Sequence, residues 1–134
     1  MREHRGDKPV TAVIYTHSHV DHYGGIKGVL SDDDIANGLQ IIAPEGFLKA
    51  AVSENVLAGN AMSRRATYMY GSMLPPGPKG HVDAGLGKTV SVGKVSLVPP
   101  TKSICTTGET LIVDGVEIEF QITPDTEAPA EMNF

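Results

Sequence analysis

The segment spanning residues 10–25, VTAVIYTHSHVDHYGG, places the strongest condition on any fold this chain can adopt. Residues 10–15 are a short β-branched and aromatic run, of the length of a buried strand. The run ends on three histidines and an aspartate within six positions, His17 to His22, in a chain with only five histidines. In extended backbone, residues two apart project to the same side, so His17 and His19 converge on one point just beyond the strand. Asp21 and His22 follow where the chain leaves the strand, and Gly24-Gly25 removes side chains so that the backbone can turn closely around the cluster.

The next segments predict a β-α-β order. A short helix is expected within residues 24–30, then a polar loop or helix cap at Ser31-Asp32-Asp33-Asp34, then a second apolar strand at residues 39–43 halted by Pro44. Residues 45–70 are mostly good helix formers, expected as two helices divided at Gly59-Asn60. Residues 71–88 (GSMLPPGPKGHVDAGLGK) are too rich in Gly and Pro for regular structure and predict a long, functional loop. Further strands are expected at residues 95–98, 110–113 and 116–122. Asp114-Gly115 joins the last two as a type I′ hairpin.

At 134 residues, with 40% hydrophobic and 20% charged residues, the chain has the size and make-up of one globular domain. A formal charge of -5 argues against nucleic-acid or membrane-surface binding, which needs clustered Lys and Arg. Arg64-Arg65 is an adjacent basic pair, but neighbours on a helix point in different directions and suit surface charge better than one shared anion. No apolar run approaches the roughly 18–20 residues needed to span a bilayer. With one cysteine, Cys105, there is no internal disulfide and no Cys-based zinc site. Metal chemistry must therefore use histidine and carboxylate.

Imidazole and carboxylate suit Zn²⁺ or a related divalent ion. His17 and His19 are read as ligands of one ion, with Asp21 and His22 beside a second. Two such ions about 3.5–4 Å apart share a water, lower its pKa to about 7 and favour hydrolysis. His4, in the polar leader, is read as solvated, and His81 as a loop residue with a secondary claim on the site.

The pattern His17-Ser18-His19-Val20-Asp21-His22 after an apolar strand resembles the metal-binding signature of the metallo-β-lactamase superfamily. Further stretches, IIAPEGF, SENVLAGNAMSRRA, LPPGPKG, AGLGK, TGET with DGVEIEFQ, and TPDTEAPAEMNF, resemble the alkyl sulfatases that hydrolyse dodecyl sulfate and similar surfactants. The resemblance runs from about Lys8 to the end. It implies an α/β chain forming part of a metallo-β-lactamase fold, an αββα sandwich incomplete at both ends, within one catalytic domain over residues 1–134.

The resemblance also implies two zinc ions per intact site, with His17 and His19 on one and Asp21 and His22 on the other. Asp21 stands as the candidate catalytic residue as well as a ligand. A glutamate of the TEAPAE stretch completes the first ion's set; Glu127 is favoured and Glu131 is the fallback. Asp125 stands where the family's glycine is expected, and aspartate tolerates left-handed backbone better than most residues. The implied substrate is a small amphipathic sulfate ester. Its alkyl tail would meet an apolar wall for which residues 71–88, Met62 and Met69 are candidates. The remaining ligands are expected outside this chain, whose intact parent is implied to be a homodimer; similar enzymes are often periplasmic or secreted, and the compartment stays open. The alternatives are another hydrolase of the superfamily, acting on a thioester, lactone or β-lactam, and a zinc-binding fragment without turnover.

Overall fold

The computed structural model describes residues 2–85, 87 and 93–134. Helix α1 (Arg2–Arg5) precedes strand β1 (Ala12–Ile14), which is shorter than the apolar run that predicts it. The rest of that run still works for the fold. Tyr15 extends the pairing by donating its N–H to the Ile42 carbonyl, and its side chain is almost fully buried.

Strand β2 (Gln40–Pro44) is the centre of a three-stranded parallel sheet, flanked by β1 and by β3 (Lys102–Ile104). Val13 lies opposite Ile41, and Ala43 opposite Ser103. Because side chains alternate along a strand, Ile41 and Ala43 enter one core with Tyr15, Tyr23, Phe47 and Ala51, whereas Ile42 enters a second with Ile104, Phe120 and Met132. Burial on both faces explains why the sequence of β2 is a continuous apolar run without alternation. Pro44 ends the strand from inside it, as its last residue.

Between β1 and β2 lie α2 (Val20–Tyr23), a 3₁₀ turn (Ile26–Gly28) and α3 (Asp32–Ala36). The expected β-α-β order is present, with the 3₁₀ turn in place of an α-helix at residues 24–30. Ser31 caps α3 in a reciprocal box: its hydroxyl accepts from the Asp34 N–H at 3.1 Å, and its own N–H donates to Asp34 Oδ2 at 2.9 Å. Of the two glycines after the histidines, only Gly24 is sterically required. A Cβ there would lie 2.7 Å from the Val20 carbonyl oxygen and 3.2 Å from Val95 Cγ1, whereas one on Gly25 meets nothing within 4 Å.

After β2 come α4 (Phe47–Val52), a π-helical turn (Ser53–Leu57) and α5 (Gly59–Tyr70), so the division falls at Ala58, one residue before the expected break. Helix α5 buries none of its residues, and Arg64 and Arg65 are exposed on it. Met69 is exposed too. Residues 71–85 contain no helix or strand; Pro76 and His81 make an isolated backbone bridge. Leu86 and Lys88 of the expected loop lie outside the described residues.

The expected strand at 95–98 is not one. Those residues pack without a ladder: Ser96 donates its N–H to the Gly24 carbonyl at 2.9 Å, and the Val98 carbonyl accepts from the Tyr15 hydroxyl at 3.2 Å. Pro99-Pro100, with no N–H to offer, ends any chance of extending a ladder there. Burial and the neighbouring Tyr23 push the Tyr15 phenol up to about 12, so it stays a donor. Pairing begins at Thr101 instead, whose N–H donates to the Ile41 carbonyl at 2.8 Å while its hydroxyl accepts from the Ile41 N–H at 2.9 Å.

Strands β4 (Thr110–Val113) and β5 (Val116–Glu119) form the expected hairpin, with Asp114 at φ 50° and Gly115 at φ 80° as a type I′ turn requires. The run expected to continue to residue 122 breaks at Phe120, which turns into the second core. Strand β6 (Gln121–Ile122) then pairs antiparallel with β7 (Met132–Asn133). Among the described residues no helix is long and apolar enough to cross a membrane.

Candidate metal centre

Three side chains converge at the carboxyl end of β1. His17 leaves the strand buried, at 3% exposure, over a stacked aromatic layer in which the Tyr15 and Phe47 rings lie 4.7 Å apart. Two positions on, His19 turns its Nδ1 to the same side. Glu127 arrives from the loop between β6 and β7, its Oε1 3.7 Å from His17 Nε2 and 3.6 Å from His19 Nδ1. The potential ligand atoms of His17, His19 and Glu127 all lie within 4.8 Å of one another.

Backbone pairing delivers that loop. Met132 donates its N–H to the Thr16 carbonyl at 2.9 Å, and His17 and Glu131 form an antiparallel bridge. Asp125 sits at φ 59°, a left-handed conformation that aspartate tolerates better than most residues. Glu131 does not join the imidazoles through its carboxylate. Its Oε2 accepts from the Thr126 hydroxyl at 2.7 Å and from the Glu127 and Ala128 N–H groups at 2.7 and 3.0 Å. Those bonds, the hydroxyl's first and the two amides' next, hold the Glu131 carboxyl down at about 2. The fallback ligand is thus the clamp that shapes the loop of the favoured one.

The donor set fits a divalent cation on an observation independent of any family. His17 Nε2 is buried and has no hydrogen-bond partner, which is costly for a polar atom unless something else takes its lone pair. The other ring nitrogen, Nδ1, lies 3.1 Å from the Thr16 hydroxyl, which fixes the ring's orientation. Burial, followed by the neighbouring His22, pushes the His17 pKa down and keeps the imidazole neutral, the form that binds metal. Two imidazoles and one carboxylate match the ligand preferences of zinc and similar ions.

Asp21 and His22 lie alongside without joining this group. The His22 ring is 3.9 Å from the His17 ring, and His22 Nε2 is 3.6 Å from Asp21 Oδ2. The His22 side chain is 42% exposed and that of Asp21 78%, and both line a cavity of about 280 Å³ with Tyr23, Ile26 and Val29. His81 and His4 stand apart from the three-residue group among the described residues. Two contributors escaped the sequence reading. Glu131 as a clamp is foreshadowed only by its spacing of four from Glu127. Glu54, whose Oε2 is 3.8 Å from His19 Nε2, comes from a helical segment 35 positions downstream, and no local pattern announces it.

Comparison with known proteins identifies the family. Residues 1–104 match the model of the metallo-beta-lactamase superfamily. A linear primary-alkylsulfatase from Pseudomonas sp. is 60% identical over 133 residues, and the alkyl/aryl-sulfatase BDS1 from Saccharomyces cerevisiae is 54% identical over 130. These alignments cover 98% and 96% of this chain but 20% of each relative, so the chain spans about one fifth of their length. The solved structure of the stereoselective inverting sec-alkylsulfatase Pisa1 from Pseudomonas sp. matches with a TM-score of 0.85 at 47% identity, over 98% of this chain and 21% of that one. A strand that ends on a metal-ready imidazole cluster, a match through β3 and a shared backbone all point one way: the chain belongs to the metallo-beta-lactamase superfamily and is similar throughout its length to alkylsulfatases.

Proposed function

We propose that this chain contributes to a zinc-dependent hydrolase of alkyl sulfate esters such as dodecyl sulfate. In the reaction, water and the ester yield the alcohol and hydrogen sulfate. The metal-dependent part rests on one observation, the buried and unpartnered His17 Nε2 facing His19 and Glu127. The sulfate-ester part rests on similarity to proteins named as primary, secondary and alkyl/aryl sulfatases.

His17, His19 and Glu127 would hold one zinc, and Asp21 and His22 would contribute to a second. Bound there, the ions supply Lewis-acid polarisation of the ester oxygen and bring the pKa of water to about 7. The chain's own residues set the conditions for that chemistry. Thr16 fixes the His17 ring, and Glu131 fixes the Glu127 loop. Asp21, exposed beside His22, would act from the open side of the site.

The test is release of sulfate from dodecyl sulfate by the protein made from its full reading frame. Zinc-dependent turnover that a chelator abolishes supports the reading. Zinc binding with no sulfate release, together with cleavage of a thioester or lactone, would overturn it in favour of another hydrolase of the superfamily.

A further inference from the structure

We infer that Glu54 is a positioning residue for the metal centre: its carboxylate accepts a hydrogen bond from the Nε2–H of His19 and so presents His19 Nδ1 to the ion. The inference rests on the metal-centre reading above. It begins from the two faces of the His19 ring. Nδ1 lies 3.6 Å from Glu127 Oε1, on the side shared with His17, while Nε2 lies 3.8 Å from Glu54 Oε2 on the opposite side. A neutral imidazole carries one N–H, and its placement on Nε2 is what leaves the Nδ1 lone pair free. A cation on Nδ1 makes Nε2–H a stronger donor, so a carboxylate already in reach is drawn closer. Hydrogen bonds of this kind are commonly long before the ligand arrives.

The backbone that carries Glu54 is itself unusual. Helix α4 passes into a π turn over Ser53–Leu57, closed by the Ala58 N–H donating to the Ser53 carbonyl at 3.0 Å. A wider turn re-aims the side chains within it, and single π turns inside helical segments concentrate at functional sites. Here the turn carries Glu54, which faces His19 and also lines a cavity of about 530 Å³ with Pro129 and Ala130, from the loop that carries Glu127. The Glu54 side chain is 26% exposed and that of His19 28%, so solvent only partly screens the pair. The two imidazoles of the centre are then held in the same way. Thr16 faces the outer nitrogen of His17, and Glu54 faces the outer nitrogen of His19.

The experiment uses the protein from its full reading frame, with zinc affinity measured by competition with a chromophoric chelator. The step of interest is the binding step that His17→Ala removes. Visible absorption of the Co²⁺-loaded protein reports the ligand field at the same site. Glu54→Ala is expected to weaken that step about 10- to 100-fold and to shift the cobalt bands. Glu54→Gln, which keeps an oxygen able to accept from Nε2, is expected to recover part of the loss. Asn55→Ala, which removes the Nδ2 bond to the Ala51 carbonyl in the same turn, is expected to leave affinity and bands in place. An unchanged affinity and spectrum in Glu54→Ala would overturn the inference alone. So would an equal loss in Asn55→Ala, which assigns the effect to the integrity of the turn. A wild-type protein with no binding step sensitive to His17→Ala would overturn the metal-centre reading itself.

Discussion

Glu131 accepts the backbone N–H of Glu127 at 2.7 Å, and the two glutamates of one short loop thereby divide the labour between them: one faces the imidazoles and the other holds its neighbour's backbone. The Glu127 side chain, 62% exposed, has little packing to hold it in place, so its position depends on that clamp. Glu131→Ala should therefore weaken metal binding about 10-fold, the lower end of the effect of losing an outer partner. Calorimetric titration with zinc, alongside circular dichroism to confirm folding, measures it. Binding equal to wild type would show that the clamp is dispensable.

The same carboxyl makes a pH prediction. Its native pKa of about 2 lies below its ordinary value of 4.5, so the native state binds fewer protons than the unfolded state between those values. Stability from Glu131 is fully present above about 4.5 and declines as the pH falls toward 2. Urea midpoints measured across that range should fall less steeply in Glu131→Gln than in wild type, and parallel curves would contradict the assignment.

Metal removal should lower stability, because an ion that binds only the native state adds stability by mass action. Free zinc at 100 times its dissociation constant contributes about 2.7 kcal/mol. A chelator should reverse the gain, and His17→Ala should abolish it. Thermal melts with and without chelator test this; a metal-dependent shift of wild-type size in His17→Ala would remove His17 from the ligand set.

Gly24 and Gly25 should behave as opposites. Alanine at 24 forces a Cβ to within 2.7 Å of a carbonyl oxygen and should cost about 1–3 kcal/mol, as overpacking does. Alanine at 25 meets open space and should change stability by less than about 0.5 kcal/mol. Equal effects in denaturant melts would mean that the turn is not tight at Gly24.

Asp125 should tolerate glycine and resist valine. At φ 59°, Asp125→Gly is expected to leave zinc affinity within about twofold of wild type, whereas β-branched Asp125→Val should cost about 1–2 kcal/mol. A neutral valine variant would show that the loop can re-form without left-handed backbone.

Much of this was readable before any coordinates, and the readable parts share a cause. Strand β1, the histidine cluster, the Asp114-Gly115 hairpin and the strand ended by Pro44 are each written in adjacent residues, where local sterics and side-chain alternation decide the outcome. The missed parts are decided at a distance. Residues 95–98 have strand composition, yet their partners are the Tyr15 hydroxyl and the Gly24 carbonyl, while the polar Lys102–Ile104 pairs because β2 offers it an edge. Glu54 faces His19 from a turn in which the helix widens by one residue, and helical propensity carries no signal for that. For Glu127 over Glu131, similarity supplied the order of preference; the physical reason is the anchoring of Oε2 by two amides and a hydroxyl.

The antiparallel bridge between His17 and Glu131 has a thermodynamic corollary. The β6–β7 segment docks on the residue proposed to bind the ion, and the loop it carries would supply the third donor. Docking of that segment and uptake of the ion are therefore linked equilibria, and linkage is reciprocal. Whatever factor the seated segment adds to the association constant of the ion, the ion adds to the probability that the segment is seated. A substitution at Met132 or Phe120, neither of which offers a donor to the ion, would then register first as a change in metal retention.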